Sequence, residues 1–290
     1  MIAFQRILFP VDFSEQNNAI VPVVKAMARR FHAELTLLHV VDLPPAFLGS
    51  PEAASWAALI NAPRLREEGA IALNRFIARH FPDMHVVPEV DEGDAASLIV
   101  DHAHDNHAGL IMMPTRGYGP FRALLLGSTT AKVLHDVHCP VWTGVHAEQM
   151  AAHPPERWKN MLCAIDTDPR DAAVLRWSAE FAAEQGLQMR LVHAVQGAGS
   201  TLTRESDPSM YAFLFNVARE AIARMQAEAR TKFEVCLLGG GVSRAVHQAA
   251  IGHNADLVVI GRGVLQKKLG RLRSAAYSII REAPCPVISI

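Results

Sequence analysis

The chain lacks a Cys-x-x-Cys pair, any apolar run as long as a membrane span, and an excess of either charge. Its four cysteines, Cys139, Cys163, Cys236 and Cys285, are too scattered for a disulfide framework. Each lies in or beside an expected strand, which fits buried free thiols in a reducing cytoplasm. The opening Met1-Ile-Ala-Phe-Gln-Arg-Ile-Leu-Phe-Pro10 does not have the basic-then-apolar layout of a signal peptide, so the expected location is the cytoplasm. With 28 basic and 29 acidic residues, a net charge of −1 provides no bulk field to gather nucleic acid or an anionic membrane, and neither is expected as a partner. Catalytic signatures are missing as well. There is no G-x-S-x-G elbow, no G-x-x-x-x-G-K-[ST] phosphate loop, and Gly252-His-Asn254 lacks the second histidine of a His-x-Gly-His motif.

What is present is a packed globular composition, half hydrophobic and one fifth charged, in 290 residues, enough for two domains. The chain is written twice. Arg6-Ile-Leu-Phe-Pro-Val-Asp12 returns as Asn160-Met-Leu-Cys-Ala-Ile-Asp166, and Leu35-Thr-Leu-Leu-His-Val-Val41 as Met189-Arg-Leu-Val-His-Ala-Val195, both at an offset of 154. Leu110-Ile-Met-Met113 matches Leu257-Val-Val-Ile260 at 147, and Cys139-Pro-Val141 matches Cys285-Pro-Val287 at 146. Four matched segments in one order indicate a duplicated domain, residues 1–147 and 157–290, joined by a short linker containing Pro154-Pro155.

Within each half, apolar runs alternate with helical patterns. Strands are expected near 5–11, 34–41, 84–90, 109–113 and 140–145, then 160–166, 188–195, 233–238, 256–260 and 285–290. Helices are expected near 15–31, 55–80, 95–106 and 125–136, then 169–186, 206–231, 243–253 and 273–282. Ser14 is placed to cap the first helix, and Asp168-Pro169 reads as a cap followed by proline at the first helical position. The pattern is α/β: a parallel sheet covered on both faces, with ligands expected at the carboxyl ends of the strands.

Residues 114–129 concentrate the chemistry. An apolar strand ends in a glycine-bearing loop that closes on Gly127-Ser128-Thr129, the start of a helix. Glycine lets main-chain N–H groups approach an anion, a helix start supplies free donors, and the hydroxyls add more. Gly-Ser before a helix is also an ordinary cap, so the loop alone leaves phosphate binding and capping both open. Asp12, Val40 and Met113 fall at the same strand ends.

These residues together resemble the universal stress protein family in its tandem two-domain form. Gly117, nine residues, then Gly127-Ser128 fits most of the family signature, and Ile7-Leu-Phe-Pro-Val-Asp-Phe-Ser14, Leu37-Leu-His-Val-Val-Asp42 and Cys139-Pro-Val141 are similar to its strands. The resemblance implies two Rossmann-like sheets of the adenine nucleotide alpha hydrolase-like type, strand order 3-2-1-4-5. Many members bind ATP and others do not. By resemblance, Asp12 meets the adenine and ribose, Pro10, Val11 and Val40 line that region, and Met113, Gly117, Gly127, Ser128 and Thr129 meet ribose and phosphates, with ATP as ligand, alone or with Mg2+. A weaker second site would use Asp166, Gly261, Gly263 and Ser274. The resemblance also implies pairing of the last strands as a pseudo-dimer within the chain, or a homodimer.

The sequence departs from the pattern twice. Pro114 replaces the first loop glycine, removing a donor and fixing φ, though its carbonyl and ring remain available to line a site. In the second half the spacing to Ser274 is one residue shorter and Arg273 replaces glycine, so that half reads as degenerate or adapted to another ligand. Lys267, Lys268, Arg271 and Arg273 read as a solvated loop. The histidines at 102, 104 and 107 read as a solvated helix face, His135-Asp-Val-His138-Cys139 as a helix-to-strand turn, and His39 and His193 as a shared packing element, with no metal site expected. Residues 42–54, with Pro44-Pro45 and Gly49-Ser-Pro51, form a candidate lid. Three readings follow: a nucleotide-binding stress-response module acting through conformation or partners, a scaffold of the same fold without nucleotide, and a slow ATPase or nucleotide-dependent transferase. No catalytic residue is assigned.

Overall fold

The computed structural model describes residues 4–41, 51–115, 126–144, 158–168, 171–197, 208–262 and 272–290. The expected linker, most of the candidate lid, Gly117, Gly263 and the Lys267–Arg271 stretch lie outside these residues. The chain divides into two compact units, the first ending at Val141 and the second running on from Trp142.

The first repeat comprises β1 (Arg6–Pro10), α1 (Glu15–Phe31), β2 (Glu34–Val41), α2 (Pro51–His80), β3 (Val87–Glu92), α3 (Ala95–Asp105), β4 (Leu110–Pro114), α4 (Ser128–Asp136) and β5 (Val141–Gly144). The second comprises β6 (Asn160–Ala164), α5 (Asp171–Gln185), β7 (Gln188–Val195), α6 (Pro208–Glu228), β8 (Val235–Gly239), α7 (Val242–Gly252), β9 (Leu257–Ile260), α8 (Leu272–Glu282) and β10 (Val287–Ser289). The strands run β3-β2-β1-β4-β5 in the first repeat and β8-β7-β6-β9-β10 in the second, the expected 3-2-1-4-5 order in both. The central pairs are parallel, with Ile7 opposite both Leu35 and Leu110.

The central strands are apolar on both faces because helices cover both sides. Leu8, Phe9, Leu35, Leu37, Leu110 and Ile111 are each at most 2% exposed. On α1, Ile20, Val24 and Met27 recur at helical spacing and are fully buried, which stabilises the helix by roughly 1.5–3 kcal/mol per side chain. β3 lies at an edge, where its exposed Pro88 costs no inward ladder bond. Ser14 caps α1 by accepting from the Asn17 amide at 3.1 Å, as expected. The helix after Asp168 is described from Asp171, whose amide donates to the Asp168 carbonyl; Pro169, the expected first helical position, lies outside the described residues.

Candidate functional site

In the first unit β1 passes into a tight turn at its carboxyl end. Phe13 sits in the left-handed region at φ 60°, a conformation that costs an L-residue about 1–2 kcal/mol. The turn is stabilised by the Ser14 amide, which donates to Asp12 Oδ1 at 2.9 Å, and by Asn17 Nδ2, which donates to the Pro10 carbonyl at 3.0 Å. The Phe13 ring packs on His39 (centroids 4.5 Å apart) and on Phe76 (5.7 Å). Asp12 is exposed with Oδ1 engaged in the turn; Oδ2 is the oxygen with which it could accept from a ligand hydroxyl or amino group.

His39 Nδ1 contacts the Val11 carbonyl oxygen at 2.8 Å, and His193 Nδ1 contacts the Ile165 carbonyl at 3.0 Å. A carbonyl only accepts, so both rings carry a proton on Nδ1. The pair shares a structural role, as expected of a common packing element, and in each unit the ring also braces the first strand's end. Gly69 of α2 makes room for the His39 ring, since a Cβ there would lie 3.2 Å from His39 Cδ2.

On the other side of β1, the register brings the end of β4 level with Pro10. The loop that leaves β4 is closed at its base. The Gly127 amide donates to the Thr115 carbonyl at 3.0 Å, and Thr130 Oγ1 donates to the Pro114 carbonyl at 3.2 Å. Gly127 is the N-cap of α4 without a side-chain cap bond, and the first helical bond runs from the Ala131 amide to the Gly127 carbonyl. The amides of Ser128, Thr129 and Thr130 therefore precede the intrahelical ladder, and the positive end of the helix dipole lies there.

The carboxyl ends of β1, β2 and β4 and the start of α4 thus gather Pro10, Val11, Asp12, Val40, Met113, Gly127, Ser128 and Thr129, while Gly117 is outside the described residues. They do not play equal parts. Pro10, Val11 and Met113 are buried, Asp12 and Ser128 are exposed, and Val40, Gly127 and Thr129 are half-buried. The Gly127 amide serves the Thr115 carbonyl, so Gly127 offers close approach rather than a donor. The Pro114 carbonyl accepts from Thr130 Oγ1. At these strand ends an exposed carboxylate is a hydrogen-bond acceptor, and the amides at the start of α4 are donors at the positive end of a helix dipole. Sequence reading passed over Thr130, Asn17 and Phe13; the offset of 146, which pairs Thr130 with Ala276, was the available signal for the first.

The second unit is built differently at the same place. Offset 154 sets Asp166, Asp168 and Asp171 where the first half has Asp12, Ser14 and Asn17. The Asp166 amide donates to Asp171 Oδ2 at 2.6 Å, and the Thr167 amide to Asp166 Oδ1 at 2.7 Å. Gly261 has a packing reason: a Cβ there would lie 2.7 Å from Val174 Cγ2 and 3.7 Å from Asp171 Oδ1. Ser274 falls in the first turn of α8. At the opposite, amino end of this sheet, Arg190 and His253 line a polar cleft of about 230 Å3, where Glu234 pairs with Arg190 at 3.0 Å.

Other titratable groups among the described residues have buried or paired surroundings. Burial pushes the Cys163 thiol up to about 12, and that of Cys285 likewise to about 12; burial also raises Cys236. The Lys132 ammonium, followed by Ser97, holds the Asp94 carboxyl well below the usual carboxylate range while Asp94 caps α3. His104 meets its neighbour Asp105 at 3.2 Å on an exposed face, and His135 pairs with Asp136. Among the described residues no cluster of three or more His, Cys, Asp or Glu could hold a metal ion, and no helix is long and apolar enough to cross a membrane.

The profile of the universal stress protein family matches residues 3–143 and again 157–290. A universal stress protein of Methanocaldococcus jannaschii is 33% identical over 140 residues, 48% of this chain and 80% of that protein. One of Thermus aquaticus is 34% identical over 144 residues, 48% of this chain and 96% of that protein. The crystal structure of a universal stress protein from Archaeoglobus fulgidus covers 100% of this chain and 97% of its own at a TM-score of 0.67 and 21% identity, a likeness of fold. With both halves matched and both folded as the same five-stranded sheet, the chain belongs to the universal stress protein family in its tandem form.

Proposed function

We propose that the first unit binds ATP, alone or as its magnesium complex, and that the chain acts as a cytoplasmic stress-response module by changing conformation or partner when the nucleotide binds. One observation carries this reading: the exposed carboxylate of Asp12 and the unladdered amides of Ser128 and Thr129 lie at neighbouring strand ends of one sheet. Adenine or ribose donors suit the first, and phosphate suits the second. Fast phosphoryl transfer requires a positioned water, a base and charge stabilisation, and none of the described site residues is assigned those roles in this reading.

Equilibrium dialysis with labelled ATP at millimolar protein tests it. Retention that drops in Asp12→Ala and Ser128→Ala is the expected result; no retention, or variants behaving like the parent, rejects it. A scaffold without nucleotide is the second reading. It is favoured by the prior use of the Gly127 amide and by the three aspartates at the second unit's strand end. It predicts protein purified free of nucleotide and unchanged by added ATP. Phosphate release well above a Ser128→Ala control would instead favour the slow enzyme. For assembly the alternatives are a pseudo-dimer within one chain and a homodimer of chains, and light scattering of the full chain distinguishes them.

A further inference from the structure

Thr130 lies just past the loop motif, yet its hydroxyl ties the two sides of the loop together. The residue is 4% exposed, and Oγ1 donates to the Pro114 carbonyl at 3.2 Å. Beside it the Gly127 amide donates to the Thr115 carbonyl at 3.0 Å. Two consecutive carbonyls at the end of β4 are thus held by the first turn of α4. Proline at 114 adds a fixed φ to the same junction. The second unit has no counterpart: Gly261 stands at the place of Pro114 and Ala276 at that of Thr130, and a methyl group cannot donate.

We infer that Thr130 is a positioning residue for phosphate: its tie to Pro114 fixes the Ser128 and Thr129 amides in place before a phosphorylated ligand arrives. The inference rests on reading the first unit as a nucleotide site. A helix start free to shift must be ordered on binding, and that entropy is subtracted from affinity; a tied one has already lost it. The nucleoside end of the ligand, at Asp12, depends on the β1 turn and not on α4. Thr130 therefore acts on the phosphate-dependent part of affinity, and the alanine at 276 leaves the second unit without this device.

The test uses the full chain. Dissociation constants for ATP, by calorimetry, and for adenosine, by ligand-observed NMR, are compared in the wild type, Thr130→Val and Thr130→Ser. Valine keeps the shape and removes the donor, whereas serine keeps the donor. The expected result is ATP binding weakened roughly three- to tenfold in Thr130→Val, adenosine binding unchanged, and recovery in Thr130→Ser. Equal weakening for both ligands, or unchanged ATP binding in Thr130→Val, overturns the inference while leaving the nucleotide reading intact. A wild type that binds neither ligand removes that reading and this role with it. Should Thr130→Val not fold, Thr130→Ala serves as the donor-less variant in the same comparison.

Discussion

His39 Nδ1 lies 2.8 Å from the carbonyl oxygen of Val11, across the gap between the first two strands of the sheet. The same contact recurs between His193 and Ile165 in the second repeat, so it survives the divergence of the residues around it. In both units it steadies the main chain immediately before the exposed aspartate.

Removing that brace leaves a carbonyl without its donor. His39→Leu should destabilise the first unit by about 1–3 kcal/mol, the range for an unsatisfied buried polar group. Urea unfolding of His39→Leu and His193→Leu measures it, and equal midpoints for variants and parent would contradict the role given to the rings.

Gly261 is constrained by its neighbour. The Cβ added in Gly261→Ala would lie 2.7 Å from Val174 Cγ2. A loss of about 1–3 kcal/mol is expected for such overpacking. Val174→Ala opens the space, so the double variant should lose less than the two single losses combined. A strictly additive cycle would show that the contact does not limit packing there.

The buried thiols predict alkaline sensitivity. Cys163 and Cys285 titrate near 12 in the folded chain, from an ordinary value of 9.0, chiefly because burial disfavours the thiolate. A raised folded value means that the folded state holds the proton longer. The stabilisation is fully present below pH 9.0 and is lost as pH rises from there toward about 12. Denaturation midpoints should fall over that window, and less steeply in the Cys163→Ala, Cys285→Ala double variant. In the native protein at pH 8, both thiols should resist a disulfide reagent that modifies them after unfolding.

The repeat made the fold legible from sequence. Matched apolar strands at shared offsets, alternating with helical patterns, suffice for two parallel sheets, and the expected 15–31, 34–41 and 188–195 elements have the observed bounds. Errors arose where local pattern and pairing disagree. The strand expected near 84–90 is observed as β3, Val87–Glu92, because its ladder with β2 pairs Thr36 with Val87 and Val41 with Glu92. The helix expected near 125–136 is observed as α4, Ser128–Asp136, with Gly127 as its cap. Residues at the candidate site were found by type and place, since carboxylates, glycines and helix starts are visible in one dimension. What each main-chain group was already bonded to was not. The ties from Gly127 to Thr115 and from Thr130 to Pro114 span a loop, and residue type alone does not reveal them.

The closure of that loop at its base has an evolutionary corollary. With both ends pinned by Gly127 and Thr130, the intervening chain can drift, lengthen or be exchanged for another without dislodging the helix it precedes. The junction of strand and helix is then a platform that stays still.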